Sequence, residues 1–158
     1  MLLDADALNL LAEGRLDDCR EACERWVLTP HAGEAARLLK TTSEAIQADR
    51  EQAVQDLALL GGAAVLKGHG SLVCFRRDER IQVERCLHGN PGMASGGMGD
   101  VLSGVIGGLL AQGLGLADAT RLGVCLHSKA ADLCSEQDGM RGLLASDLFP
   151  WLRRLLNP

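Results

Sequence analysis

Three features of this 158-residue chain predict an α/β fold built on a mainly parallel central sheet. Short apolar runs alternate along it with segments of helical spacing, the pattern of βα units. Two of those runs, Trp26-Val27-Leu28 and Ala63-Ala64-Val65-Leu66, end in the polar turns Thr29-Pro30-His31 and Lys67-Gly68-His69-Gly70. A glycine-rich loop, Asn90 to Asp100, then feeds the apolar segment Val101 to Leu110, as a loop does at a helix start.

The elements can be justified in order. Leu2-Leu3 is too short to make a strand inside a parallel sheet. Ala5 to Leu11 reads as the first helix, with Asp6 as a capping group and Asn9 equally able to cap. Trp26 to Leu28 is a brief strand stopped by Thr29-Pro30, and Gly33 to Lys40 begins a helix. Ser43 opens one longer helix through about Leu60, closed by Gly61-Gly62. Ala63–Leu66, Leu72–Phe75 and Ile81–Cys86 are strand-like, and Arg76, Arg77, Asp78, Glu79 and Arg80 form a solvated hairpin end. The last third is helical over Val101–Gln112, Leu116–Ser135 and Ala145 to about Leu156, with Pro150 disturbing the last helix and Asp138 to Gly142 in a loop.

Composition narrows the class of function. At 47% hydrophobic the chain suits one domain with a sizeable core. A net charge of -5 without a basic stripe argues against nucleic acid as a partner. No apolar run reaches membrane-spanning length, and no basic region precedes the opening leucines, so neither a membrane span nor a signal peptide is expected. None of the six cysteines falls in a CxxC pair; buried, reduced thiols and a cytoplasmic location are expected.

The loop Asn90-Pro91-Gly92-Met93-Ala94-Ser95-Gly96-Gly97-Met98-Gly99-Asp100 carries the chemistry. Glycines let backbone N–H groups approach a ligand, and a helix start adds unpaired donors and the positive end of its dipole. Phosphate is the expected guest, and Asp100 is then anomalous, because two unit charges 4 Å apart repel by about 4 kcal/mol at an effective dielectric near 20. A general base that takes a proton from a substrate hydroxyl explains it; a plain helix cap is the competing reading. Gly104, Gly107 and Gly108 each cost the helix up to about 1 kcal/mol against alanine, which close packing or ligand approach must offset.

The segment Gly89 to Gly113, GNPGMASGGMGDVLSGVIGGLLAQG, closely resembles the signature of the ADP-dependent NAD(P)H-hydrate dehydratases of the ribokinase-like superfamily. LLDADALN at Leu2–Asn9, LTPHAGEAARLL at Leu28–Leu39 and VLKGHGS at Val65–Ser71 agree in order and spacing, so the resemblance spans residues 2–148. It implies a three-layer ribokinase-like fold, of which residues 1–158 are the C-terminal part, the N-terminal βα units being missing. It also implies phosphorylation of the hydroxyl of (S)-NADH or (S)-NADPH hydrate by ADP with Mg²⁺, followed by loss of phosphate.

Residue by residue, the resemblance makes Asp100 the base and a substrate contact, and His31 a lining residue of the hydrate pocket. Ala32 replaces the family's usual proline, which is expected to loosen His31. Lys67, Gly68, His69, Gly70 and Ser71 resemble the adenine-nucleotide phosphate contact, with Gly97 and Gly99 on the facing loop. No residue is assigned as a metal ligand; Asp4, at a strand end, is left open between orienting a metal-bound water and hydrogen-bonding the cleft. His127 reads as a packed core histidine, and His88 as a group that positions the loop. With no Tyr and two Phe, adenine is expected to rest on aliphatic side chains. An uncovered edge at Leu2-Leu3 is expected to drive homo-oligomer formation. The Gly-Asp loop alone equally fits a kinase of a small alcohol, of hydroxymethylpyrimidine or thiazole type. A nucleotide-binding chain without activity is the third reading.

Overall fold

Five strands form one sheet in chain order: β1 (Leu2–Leu3), β2 (Val27–Leu28), β3 (Ala63–Leu66), β4 (Leu72–Arg77) and β5 (Arg80–Arg85). This is a computed structural model, and it describes residues 1–78 and 80–157 apart from the side chains of Arg20 and Glu21; Glu79, in the expected hairpin end, lies outside the described residues. β1, β2 and β3 run parallel, whereas β4 and β5 turn back as antiparallel hairpins. The expected parallel arrangement thus holds for the first three strands. Leu2-Leu3 is a strand after all: at the sheet edge two residues suffice, because Val27 N–H and Thr29 N–H donate to the Met1 and Leu3 carbonyls at 2.9 and 3.1 Å.

Alternation along the strands sends side chains to two faces. Leu28, Ala64, Leu66, Leu72 and Cys74 pack against α1 (Asp6–Ala12), α2 (Ala32–Leu38), α3 (Ser43–Ala48) and α4 (Arg50–Leu60). Val27, Ala63, Val65, Val73 and Phe75 face Leu102 and Ile106 of α5 (Met98–Ala111) and Val124 of α6 (Leu116–Asp138). A third cluster joins α5 and α6 to α7 (Leu148–Leu156) through Leu109, Ala130, Leu148 and Leu152. Helices therefore cover both faces of the sheet, the expected α/β layering. No helix among the described residues is long and apolar enough to cross a membrane.

Several local expectations are corrected. The helix expected from Ser43 to Leu60 is broken at Asp49 (φ −139°, ψ 79°), whose side chain accepts from Gln52 N–H and starts α4; Thr42, not Ser43, caps α3. Asp6 makes no capping hydrogen bond, since Ala5 holds the cap position, and Asn9 Oδ1 is buried without a partner among the described residues. Residues Asp17–Arg25, unassigned by pattern, form a 3₁₀ helix. Pro150 falls in the first turn of α7, where a missing N–H costs nothing, so it does not disturb the helix. Arg77 is not merely solvated, since it donates to Asp118 at 2.6 Å. Only Cys74 and Cys134 of the six free thiols are buried; Cys19 and Cys125 are exposed. Burial pushes the Cys74 thiol up to about 11.

Two predictions follow from the helical layer. No described atom lies within 4 Å of a Cβ built on Gly107 or Gly108, so close packing does not explain them. Gly107→Ala and Gly108→Ala are each expected to raise the free energy of urea unfolding by up to about 1 kcal/mol. His127 is the core histidine expected: it is 5% exposed, it bonds the Met98 backbone, and Nε2 has no partner among the described residues. Burial depresses its pKa from 6.5 to about 4. Between those values the unfolded chain binds the extra proton, so stability falls as pH drops from 6.5 to about 4, by on the order of 3 kcal/mol. Urea titrations across that range should show a shallower fall in His127→Gln; equal slopes would assign the acid lability elsewhere.

Candidate active site

Parallel strands bring the ends of their chains to one edge, where α/β sheets bind ligands. Asp4 follows β1, His31 follows β2 by three residues and Lys67 follows β3, so all three emerge at that edge. Lys67 N–H donates to the Pro30 carbonyl at 2.8 Å, fixing the last two segments to each other. From the opposite layer, the start of α5 closes over the same point.

Lys67 is the centre of the cluster. Its ammonium donates to Asp4 Oδ1 at 2.8 Å and stands 3.8 Å from Glu34 Oε2. Asp4 Oδ2 accepts from Ser103 Oγ of α5 at 2.7 Å, so one carboxylate ties β1, β3 and α5 together. Burial raises the Asp4 pKa, but the Lys67 and Ser103 hydrogen bonds and the Lys67 charge outweigh it and hold the carboxyl below its ordinary value. Asp4 therefore hydrogen-bonds the cleft, one of the two roles left open by the sequence.

His31 caps α2. Its Nδ1 accepts from Gly33 N–H at 3.0 Å and Glu34 N–H at 3.3 Å, while Glu34 Oε2 accepts from His31 N–H at 2.8 Å. This reciprocal capping box orients the imidazole, with Ala32 at the first position of the helix. With Nδ1 accepting, the ring proton sits on Nε2, 3.5 Å from Glu34 Oε1. Glu34 is buried and shared between His31 and Lys67.

The glycine loop is anchored before it reaches the helix. Gly89 N–H donates to both Asp132 oxygens at 3.1 and 3.0 Å, and Asn90 Nδ2 donates to Asp132 Oδ1 and Ser135 Oγ, each at 3.1 Å. His88 Nδ1 lies 3.3 Å from Asp132 Oδ2, so His88 does help position the loop. Gly97, at the cap position before α5, has a φ of 84° and supplies no side-chain cap. That conformation suits glycine, and the lack of a cap leaves the first-turn N–H groups available to a ligand. A Cβ on Gly99 would stand 3.3 Å from Lys67 Nζ and 3.6 Å from Asp4 Oδ2, so the loop and the lysine meet as expected.

Asp100 is the third residue of α5 and exposed; no described group bonds or pairs with its carboxylate. The capping reading fails, because Asp100 caps nothing. In the Lys67–Ser71 turn, Gly68 and Gly70 have φ values of 143° and 64°, Ser71 Oγ donates to the Gly68 carbonyl at 3.2 Å, and His69 is exposed.

Glu34 was read from the sequence, with His31, as able to face a cleft, and it stands between His31 and Lys67; Ser103 and Asp132 were not singled out. Helical spacing gave a signal for one of them, since Ser103 lies one turn beyond Gly99 and Asp100. For Asp132, 43 positions from Gly89, no local signal existed.

Comparison with known proteins places the chain in a family. The carbohydrate-kinase family profile described as NAD(P)H-hydrate dehydratase matches residues 1–154. The bifunctional NAD(P)H-hydrate repair enzyme Nnr of Coxiella burnetii is 54% identical over 99% of this chain and 31% of its own length. An ADP/ATP-dependent NAD(P)H-hydrate dehydratase from Bacillus subtilis, co-crystallized with ATP/Mg²⁺, aligns at TM-score 0.76 and 30% identity over 83% of this chain and 47% of its own. A ribokinase-like superfamily protein of Enterococcus faecalis aligns at TM-score 0.78 and 30% identity, over 98% of this chain and 51% of its own. The chain thus spans about a third of the repair enzyme and about half of each solved chain. Its layered sheet is ribokinase-like, and with a family profile matched from residue 1 to residue 154 the chain belongs to the NAD(P)H-hydrate dehydratase family.

Proposed function

We propose that this chain carries the phosphoryl-transfer site of an ADP-dependent dehydratase of (S)-NAD(P)H hydrate. The observation that carries the reading is the approach of Lys67 to Gly99, one residue before an unpartnered Asp100, at the strand edge that also presents His31. The names of the relatives support the substrate and donor: a repair enzyme for the hydrate, and a dehydratase crystallized with ATP/Mg²⁺.

In this reading Lys67 and the Gly68–Ser71 turn hold the donor phosphates, and the Gly97–Gly99 amides receive the charge of the moving phosphoryl group. Asp100 takes the proton of the hydrate hydroxyl as its oxygen attacks phosphorus and the donor's terminal P–O bond breaks, leaving AMP. Phosphate then departs with the C–O electron pair, and proton loss restores the dihydronicotinamide. His31 lines the pocket of the hydrated ring. Charge balance favours a cation arriving with the nucleotide, because Asp4, Glu34 and Asp100 confront one lysine. Mg²⁺ needs only one or two carboxylates beside substrate phosphates, so Asp4 and Glu34 fit as its nearest protein groups without forming a dedicated cage. When bound, it would neutralise phosphate charge. Self-association through the outer edge of β1 belongs to the same reading.

Asp100→Asn keeps the side-chain shape and removes the proton acceptor. Turnover of hydrated NADH, followed by return of dihydronicotinamide absorbance, should fall by about 10²- to 10⁴-fold while ADP affinity holds or improves. Turnover within about threefold of the parent, far short of a base's contribution, would falsify the assignment. Accumulation of a stable phosphorylated product would instead favour the small-alcohol kinase. Lys67→Ala should cut the ADP-dependent gain in thermal stability by about 1.5 to 3 kcal/mol, the worth of a charged hydrogen bond.

A further inference from the structure

We propose that Arg50 is the positioning residue of the nucleotide turn: its guanidinium holds the Leu66 and Gly70 carbonyls at the two ends of the turn, which locks Lys67 N–H onto Pro30 and turns Ser71 N–H toward the phosphates. The proposal rests on the nucleotide reading of Lys67–Ser71 and extends it to a residue outside every motif singled out in the sequence.

Arg50 is the first residue of α4, set there by the break at Asp49. Its side chain reaches back under the turn. Nη2 donates to the carbonyls of Leu66 at 3.2 Å and Gly70 at 3.4 Å, the residues on either side of Lys67-Gly68-His69. Nη1 donates to Gln47 Oε1 of α3 at 3.3 Å, which fixes the plane of the guanidinium. One planar group thus ties both ends of the turn to a rigid helix.

The consequence for the amides is geometric. In a trans peptide C=O and N–H point in opposite directions, and no peptide bond here is cis. With the Leu66 carbonyl drawn to Arg50, Lys67 N–H points away, and it meets the Pro30 carbonyl at 2.8 Å. With the Gly70 carbonyl drawn to Arg50, Ser71 N–H is likewise turned away from the guanidinium. Gly68 completes the fit: a Cβ there would stand 2.8 Å from Arg50 Nη1, in a backbone conformation (φ 143°) that side chains rarely adopt. Glycine at 68 lets the turn lie on the guanidinium. Arg85, whose Cδ lies 3.4 Å from a Cβ built on Gly70, flanks the turn from the β5 side and pairs with Glu51 at 3.7 Å. The turn therefore rests between two arginines, with Lys67 in front.

The test is calorimetric titration of ADP into the parent chain, Arg50→Ala, Arg50→Lys and Lys67→Ala, with the affinity for hydrated NADH measured in parallel. Arg50→Ala is expected to weaken ADP binding about tenfold and leave hydrate affinity unchanged. Added guanidinium at concentrations too low to denature should restore ADP affinity to Arg50→Ala and not to Lys67→Ala, a response that a merely structural role would not give. Arg50→Lys should recover only part of the loss, since an ammonium lacks the planar fork. If Lys67→Ala weakens ADP binding and Arg50→Ala stays within about twofold of the parent, the positioning role is overturned. If Lys67→Ala also binds as the parent does, the nucleotide reading of the turn fails and the role of Arg50 fails with it. Should Arg50→Ala not fold, Arg50→Lys decides by the same comparison.

Discussion

The hydrogen-bonded ion pair between Asp4 and Lys67 is the constraint on which the site depends. Each partner stands at the end of a parallel strand, and Ser103 extends the junction into the opposite helical layer. The side chains are only 12% and 21% exposed, so their attraction is weakly screened, and losing one would strand the other's charge in a poorly hydrated place. The same pair leaves Lys67 committed: its one ammonium is already shared by two carboxylates, Asp4 and Glu34.

What the sequence made legible was whatever has a local cause. Apolar runs gave the strands, and glycine before an apolar run gave the loop that leads into α5. The Lys67 and Gly99 segments, both named from the sequence, do meet. What stayed hidden depends on partners remote in the chain. The contacts of Asp4 to Lys67 and Ser103 join residues 63 and 99 positions apart and have no local signal. Glu34 was read as facing a cleft, but its link to Lys67 shows only in the fold. The break at Asp49 escaped because helical spacing continues on both sides of it, yet that break directs Arg50 toward the Lys67–Ser71 turn.

Glycine, too, has different reasons at different places. Gly97 needs its left-handed backbone, Gly68 its near contact with a guanidinium, and Gly99 its closeness to Lys67 and Asp4. Gly107 and Gly108 have open space around them and no described neighbour that would object to a methyl group. Reading the helix glycines as evidence of tight packing is therefore wrong for this pair, although the loop glycines repay the same reading.

The antiparallel turn between β3 and β4 has a consequence for how the molecule assembles. Its ladder joins residues close in the chain, such as Leu66 and Leu72, so the Lys67–Ser71 turn closes at little cost in chain entropy. The bonds from Asp4 span 63 positions to Lys67 and 99 to Ser103. Loops of that length close against a larger loss of freedom and are made late. The hairpin that presents Lys67 closes as a local event, and the Asp4–Lys67–Ser103 junction is complete only when the first strand and the fifth helix are both docked, making that junction a report on the folding of the entire chain.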